Sequence, residues 1–240
     1  MIVIPMMGRS SRFLDNGYTI PKHQLRVNGV TMFAMAVNSF SKYFSNEHFL
    51  FIVRSDFDNQ RFVTEQVIKL GIRDFRIIEI QGETGGQAET VFRGTEMYSD
   101  QTPIIIFNID TIRYRFIMPS EDEMGDGVLE VFIADGDNWS FIESGGGDQV
   151  LRTTEKKRIS NLCSNGLYIF KRLGDFKNAF ANAKNKNELV KGEIYVAPLY
   201  NYLINCGKNI KYRVIEGEDI EVCGTPVEFE AYKKRHARLP

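Results

Sequence analysis

Four short, mostly apolar runs, separated by stretches with helical periodicity, constrain this chain more than any other feature. They lie at residues 2–4, 49–53, 75–80 and 104–109. Runs with so few polar residues suit strands covered on both faces. Between them, Met32, Phe33, Met35, Ala36, Val37 and Phe40 recur at helical spacing, with Thr31 placed to cap the first turn. Phe62, Val63, Val67, Ile68 and Leu70 mark a second helix, ended by Gly71, and Ala88, Val91, Phe92 and Met97 mark a third. Strand and helix in alternation predict βαβ units and a parallel sheet with helices on both faces, a Rossmann-like doubly wound α/β fold. Ligands in such sheets bind beyond the carboxyl ends of the strands, which singles out the loops at 5–22, 81–86 and 108–112. No helix is expected between the first strand and Thr31.

After residue 112 the pattern changes. Residues 128–134, 139–142, 150–154 and 162–170 read as antiparallel strands, with glycine-rich turns at 125–127 and 145–147. Helical spacing returns at 173–182 and 193–204, followed by a strand at 211–215 and a last helix from about Val227. With neither repeat nor linker, residues 1–240 are expected to form one domain, with halves at 1–112 and 113–240 and a mixed, antiparallel second half. Thirty basic residues against thirty-one acidic ones leave a formal charge of −1, so no global field favours nucleic acid or an anionic membrane. The basic run Lys233, Lys234, Arg235, His236 and Arg238 reads as the solvated end of the last helix. Cys163, Cys206 and Cys223 lack metal-site or disulfide-framework spacing, which fits a reducing compartment. No apolar run reaches the ~18–20 residues of a membrane span, and the opening has no leader pattern. A cytoplasmic protein is expected.

The loop after the first strand, "IPMMGRSSRF", carries the chemistry. Gly8-Arg9-Ser10-Ser11-Arg12 supplies unobstructed backbone N–H groups, two hydroxyls and two guanidinium groups, the parts of a polyphosphate cradle. Neither the dinucleotide fingerprint nor the P-loop pattern is present. In "IPKHQL", the fixed φ of Pro21 holds Lys22 at a definite place on the loop. Farther on, "IQGETGGQAETV" puts Gln81 after a strand and Gly85-Gly86 before a helix. The glycines allow a close approach to a flat ring, and Gln81 or Gln87 presents both a donor and an acceptor. "PIIIFNID" ends a buried strand on Asp110, a carboxylate suited to holding Mg²⁺ against phosphates.

These segments resemble the signature of the sugar nucleotidylyltransferase-like family, G-x-G/S-x-R followed by a P-K pair. The resemblance implies that Met7, Gly8, Arg9 and Ser10 wrap a nucleoside triphosphate, and that Gln81, Gly86 and Gln87 read its base. It gives Arg12 the leaving pyrophosphate and Lys22 the phosphate at the reacting centre. It makes Asp110 a ligand of the cofactor Mg²⁺. The stretch "EDIEVCGTP" is similar to the family's D-x-G-T-P. The acid nearest the glycine is Glu221, one place farther away than in the family, so Glu221 is the expected second metal ligand and Asp219 its substitute. "TEKKRIS", "CSNGLYIF" and "KGEIYVAPLYN" resemble the acceptor region and give Lys156 the acceptor phosphate, Asn165 and Gly166 the acceptor strand, and Glu193 the acceptor's hydroxyls or amines. Trp139 fits an acceptor-side wall and a core position equally. His23, His48 and His236 fall outside the motifs and receive no role.

Within the family, "FNID", "GDNWSF" and "LCSNGLYIF" resemble a capsule-biosynthesis branch. That likeness implies CTP as donor and L-glutamine phosphate as acceptor, giving CDP-L-glutamine and pyrophosphate for a capsular phosphoramidate. The alternatives are a sugar-1-phosphate nucleotidylyltransferase and a catalytically silent nucleotide-binding regulator. Oligomeric state is not read from the sequence.

Overall fold

In the computed structural model, which describes residues 1–237, the expected alternation is present. Strand β1 (Ile2–Met6) is buried throughout, and the loop after it holds a four-residue helix, α1 (Ser11–Leu14), where none was expected. A small hairpin, β2 (Arg26–Val27) and β3 (Val30–Thr31), leads into helix α2 (Met32–Val37). Strand β4 (His48–Arg54), helix α3 (Asn59–Leu70), strand β5 (Asp74–Ile80) and helix α4 (Gln87–Gly94) follow, then β6 (Ile104–Phe107) and β7 (Thr111–Arg113). A short helix α5 (Glu121–Met124) precedes strands β8 (Gly127–Ile133), β9 (Ser140–Ser144), β10 (Val150–Glu155) and β11 (Leu162–Phe170). Helices α6 (Leu173–Asn185) and α7 (Tyr200–Asn205), strands β12 (Ile210–Val214) and β13 (Ile220–Val222) and helix α8 (Pro226–Arg235) complete the chain. Among the described residues no helix is long and apolar enough to cross a membrane. Arg238 of the basic run lies outside the described residues; Lys233, Lys234 and Arg235 form the last turn of α8.

The chain divides into two compact units of interleaved segments. The first comprises Met1–Val3, Thr84–Phe107 and Ile117–Gly217; the second comprises Ile4–Glu83, Asn108–Phe116 and the chain from Glu218. In the first unit the start of β1 runs parallel to β6, with Ile2 opposite Ile105. Strand β11 is antiparallel to β6, β8 and β9, β10 is antiparallel to β9, and β12 is parallel to β8. The register of β11 shifts between Ser164 and Tyr168, where Gly166 takes a φ of 85°, a conformation that favours glycine. Phe170 and Tyr200 stack in the core at 4.4 Å.

In the second unit β4 and β5 pair in parallel from His48 opposite Asp74 to Arg54 opposite Ile80. Strand β4 is buried as expected. In β5 exposed and covered positions interleave instead of forming a strand buried on both faces, because it ends the sheet's strand order. The Thr31 hydroxyl accepts from Ala34 N at 3.1 Å and caps α2, and Gly71 ends α3 at φ 77°. Strand β7 pairs antiparallel with β13, Ile112 opposite Glu221 and Thr111 opposite Val222. Thr225 opens α8 with a reciprocal capping box to Glu228, and Pro226 occupies the first turn. One buried cluster joins these parts: Phe13, Leu25, Val27, Met32, Ile112, Cys223, Phe229 and Tyr232.

One expected helix is shortened. Residues 193–196 are not helical; a 3₁₀ turn at Ala197–Leu199 leads into α7, and Pro198 sets the start because proline suits only a first turn.

Candidate functional site

The loop after β1, in the second unit, sets an open backbone beside exposed cations. A Cβ on Gly8 would meet nothing within 4 Å, so the backbone there is open. Ser10 adopts φ 54°, and its carbonyl accepts from Phe13 N at 2.9 Å and Leu14 N at 3.1 Å, which starts α1. Phe13 points into the buried cluster and anchors the turn. Arg12 rides on that turn with its side chain exposed, and no described residue pairs with its guanidinium. Ser10 Oγ accepts from Lys22 N at 3.1 Å, so the hydroxyl fixes the lysine's backbone and keeps its own O–H to donate. Pro21 has φ −60°, as expected. Met7 is buried below the loop, and Arg9 forms an exposed ion pair with Glu83, a contact worth little in water.

Lys22 Nζ lies 2.5 Å from Asp110 Oδ2, and both side chains are about four-fifths buried, at 20% and 21% exposure. Seclusion strengthens such a pair relative to one in open solvent. Behind it, His23 is buried, and its Nε2 lies 2.7 Å from Asn59 Oδ1. Burial pushes this imidazole down to about 4, against the Asn59 hydrogen bond, which pulls it up; the Lys22 charge lowers it further. His23 is therefore a neutral anchor of the turn that carries Lys22.

The two acids that the motif spacing singles out, Glu221 and Asp219, are both paired with arginines. The Glu221 carboxylate accepts from Arg235, and Asp219 is bound by Arg115 at 2.6 Å and Arg113 at 3.7 Å. Both expected acids are thus committed to arginines. Asp110 and Glu228 both flank Gly224: a Cβ there would stand 3.0 Å from Asp110 Oδ2 and 3.7 Å from Glu228 Oε2, the oxygen that also accepts from Thr225 N. The signal in the sequence, Thr225 followed three residues later by Glu228, reads only as a helix cap. Among the described residues no group of three His, Cys, Asp or Glu side chains is placed to hold a metal ion. Mg²⁺ does not need one, since it commonly takes one or two carboxylates and completes its shell with water and substrate phosphates. Asp110, with Glu228 across the bare Cα of Gly224, fits that donor set.

The segment expected to read the base is divided between the two units. Gln81 is exposed at the end of β5 in the second unit. In the first unit Gly86 takes φ 109°, and a Cβ there would meet Ile194 O at 2.8 Å and Glu193 Cβ at 2.9 Å. Ile194 N donates to Gly85 O at 2.8 Å and Ala88 N to Ile194 O at 3.3 Å. The missing side chain at Gly86 is what lets the chain pack closely against 193–194. Gln87 begins α4.

The same unit contains the residues expected at the acceptor, Lys156, Asn165, Gly166 and Glu193. Lys156, at φ 54°, donates to the Tyr195 hydroxyl, sits 4.2 Å over that ring and lies 3.8 Å from Glu155 Oε1. Burial raises the Glu155 carboxyl, the Ser140 hydrogen bond and Lys156 lower it, and the charge of Glu193 raises it. Glu193 is exposed, bridged to Val190, and heads no helix. The Asn165 amide is engaged within the protein: Nδ2 donates to Glu130 Oε2 and Oδ1 accepts from Leu167 N, both at 2.9 Å. Glu130 is fully buried and also pairs with Arg213. Asn165 thus satisfies a buried carboxylate, and Gly166 shapes the β11 bulge. Trp139 packs edge-on against Phe132 at 5.2 Å and donates to Asp135 O. Glu155 and Tyr195 escaped the sequence reading, although both stand inside the quoted motifs, "TEKK" and "GEIY".

No protein-family model and no curated protein matches the chain. Solved structures do. A nucleoside-diphosphate-sugar pyrophosphorylase from Vibrio cholerae RC9 is 46% identical, with a TM-score of 0.93 over 98% of this chain and 100% of that one. An inositol-1-phosphate CTP transferase from T. maritima shares the fold at 17% identity and a TM-score of 0.73, covering 100% of this chain and 97% of that one. A UDP-glucose pyrophosphorylase complexed with UDP-glucose does so at 16% and 0.74, covering 98% of each. At 46% identity over the whole length of the Vibrio protein, and with the expected loop, lysine and strand-end aspartate in one unit, the chain belongs to the nucleotidyltransferase family of the nucleoside-diphosphate-sugar pyrophosphorylases.

Proposed function

We propose that this protein transfers a cytidylyl group from CTP to a small phosphorylated acceptor, L-glutamine phosphate, releasing pyrophosphate. The observation that carries the transfer chemistry is the Ser10–Lys22–Asp110 arrangement beside an open Gly8 backbone and an unpaired Arg12. An oxygen of the acceptor phosphate forms a bond to the α-phosphorus. The bond from that phosphorus to the bridging oxygen breaks, and pyrophosphate leaves with the electron pair. The attacking oxygen is already an anion, so no base is needed, in keeping with a buried His23 that stays neutral. The task is to bring anions together and balance the charge that grows between them. Arg12 faces the leaving pyrophosphate. Lys22, fixed by Pro21 and Ser10, faces the α-phosphate. Asp110 with Glu228 would hold Mg²⁺, which supplies charge neutralisation at the phosphate oxygens.

The donor base and the acceptor rest on the likeness to the capsule-biosynthesis branch, specifically to CTP:phosphoglutamine cytidylyltransferase. The exposed Gln81 amide complements the amine edge of cytosine. Lys156 suits an acceptor phosphate, while Glu155 beside it and the exposed Glu193 suit an ammonium group, a pairing that a sugar phosphate would leave unused. A second reading, transfer to a sugar 1-phosphate, draws support from the description of the Vibrio relative. Pyrophosphate release, measured with Mg²⁺ and each of four triphosphates against L-glutamine phosphate and a set of hexose 1-phosphates, separates the two. Fastest turnover with CTP and L-glutamine phosphate is expected. Faster turnover of a hexose 1-phosphate transfers the function to the second reading, and no release with any pair indicates a silent binder.

A further inference from the structure

Two consecutive residues after β4 stand in the left-handed region, Phe57 at φ 53° and Asp58 at φ 52°. Neither is a glycine, and for a bulky aromatic residue this conformation is an outlier that the surroundings must enforce. The turn they form, between Arg54 and α3, also leaves Arg54 Nη1 buried with no hydrogen-bond partner among the described residues. Backbone strain of this kind clusters at functional sites. The turn stands at the carboxyl end of a parallel strand, the side on which ligands bind. What enforces it is Asn59, the first residue of α3, which is 2% exposed. Its amide uses all four of its hydrogen-bonding positions. Nδ2 donates to Arg54 O and to Asp56 Oδ1, both at 3.3 Å. Oδ1 accepts from Gln24 Nε2 at 3.2 Å and lies 2.7 Å from His23 Nε2. A carbonyl can only accept, so Arg54 O fixes the orientation of the amide and makes Nε2 the protonated nitrogen of His23. Gln24 Nε2 also donates to Phe57 O at 3.1 Å and pins the strained turn from the other side.

We infer that Asn59 is a positioning residue for the transfer reaction: through His23 and Gln24 it locks the turn of Lys22 onto the strained turn after β4. The inference rests on the proposed function in one respect, that Lys22 serves the reacting phosphate. Lys22, His23 and Gln24 form a single 3₁₀ turn, in which Leu25 N donates to Lys22 O at 3.1 Å. Ser10 Oγ holds that turn at its front through Lys22 N, and Asn59 holds it at its back. Between them they set the point from which four flexible methylenes reach, placing Nζ 2.5 Å from Asp110 Oδ2. A lysine on a loose turn would keep its charge and lose its aim, and about 1 Å of misplacement can cost on the order of 10²-fold in rate. Among the described residues Asn59 has no hydrogen bond to the loop from Gly8 to Arg12. Its influence therefore falls on Lys22 and not on the cradle that receives the triphosphate.

Trace acetylation of the full chain with acetic anhydride, without substrate, reads the placement of Lys22 by peptide mass spectrometry. Lys156 is the internal standard, because its side chain has the same 20% exposure and lies in the other unit. Asn59→Ala is expected to raise Lys22 acetylation roughly tenfold while that of Lys156 stays within about twofold, a contrast that general loosening would not produce. In the pyrophosphate-release assay, with whichever substrate pair turns over fastest, the same variant should lower kcat roughly tenfold or more and leave KM for the triphosphate within about threefold. Gln24→Met keeps the chain length and removes the bonds to Asn59 and Phe57 O. It should move acetylation and kcat in the same directions by about threefold, and it decides the question if Asn59→Ala does not fold. Lys22 acetylation within about twofold of wild type, or rising in step with Lys156, overturns the inference and leaves the proposed function standing. Faster Lys22 acetylation with unchanged kcat removes Lys22 from the reaction, and the inference falls together with that part of the proposed function.

Discussion

Acidification should destabilise the protein through His23 by an amount the structure allows to be worked out. In the unfolded chain an imidazole protonates near its ordinary value of 6.5, whereas burial holds the native ring down to about 4. Between those two values the unfolded state carries a proton the native state refuses, so stability falls as pH falls. The slope is about 1.4 kcal/mol per pH unit across the window, and the whole loss is about 3 kcal/mol. Above pH 6.5 the ring is neutral in both states and contributes nothing to the pH dependence. Below pH 4 it is charged in both, and the loss is complete. The perturbation is His23→Gln, which keeps an N–H for Asn59 Oδ1 and cannot titrate. Urea unfolding of both proteins at pH 7.5, 6, 5 and 4 isolates the effect, because every other titrating group is shared. The native sequence should lose about 3 kcal/mol more than the variant between the first and last of these. Parallel curves for the two proteins would refute the reasoning and show that water or a local opening solvates the ring.

Three further outcomes are expected. Arg12→Ala should lower kcat on the order of 10²–10³, about 3–4 kcal/mol, with little change in Tm because the side chain is exposed; an effect on KM alone would make Arg12 a binding residue. Asp110→Asn should abolish turnover while the protein still melts cooperatively, and near-normal activity at saturating Mg²⁺ would remove Asp110 from the metal site. Gly86→Ala should cost about 3 kcal/mol in denaturant unfolding, since φ 109° and a 2.8 Å approach to Ile194 O both oppose a methyl group; a loss under ~1 kcal/mol would show that the 193–194 segment gives way.

Local chemistry was legible in the sequence wherever one residue decides the conformation. Thr31, Gly71 and Pro21 each act through their own backbone or hydroxyl, and each does what its type dictates. Apolar runs located β1, β4 and β6 because burial on both faces leaves no other composition. What escaped depends on partners distant in sequence. The β7–β13 ribbon is two three-residue strands separated by over a hundred residues, too short to show a period. Spacing to Gly224 favours Glu221, yet spacing does not reveal that Arg235, a helix away, donates to its carboxylate. Asn165 lay in the expected strand, but its role follows from Glu130 on the neighbouring strand. Residues 193–196 kept helical spacing of apolar side chains while Ile194 used its backbone on Gly85 and Ala88.

The interleaving of the units has a consequence for how the protein is made. The buried cluster under the donor loop takes Phe13, Leu25, Val27 and Met32 from the start of the chain and Cys223, Phe229 and Tyr232 from near its end. During synthesis the early residues emerge roughly two hundred positions before their partners, with the whole 117–217 segment of the other unit translated in between. At ~5–20 residues per second that interval is on the order of 10–40 s. Throughout it the nascent chain carries an unfinished apolar surface next to Arg12, and only α8 leaving the ribosome can close it. The second unit is thus vulnerable to aggregation and to loss of α8, and the loop that holds Arg12 and Lys22 is not fully packed until α8 has been translated.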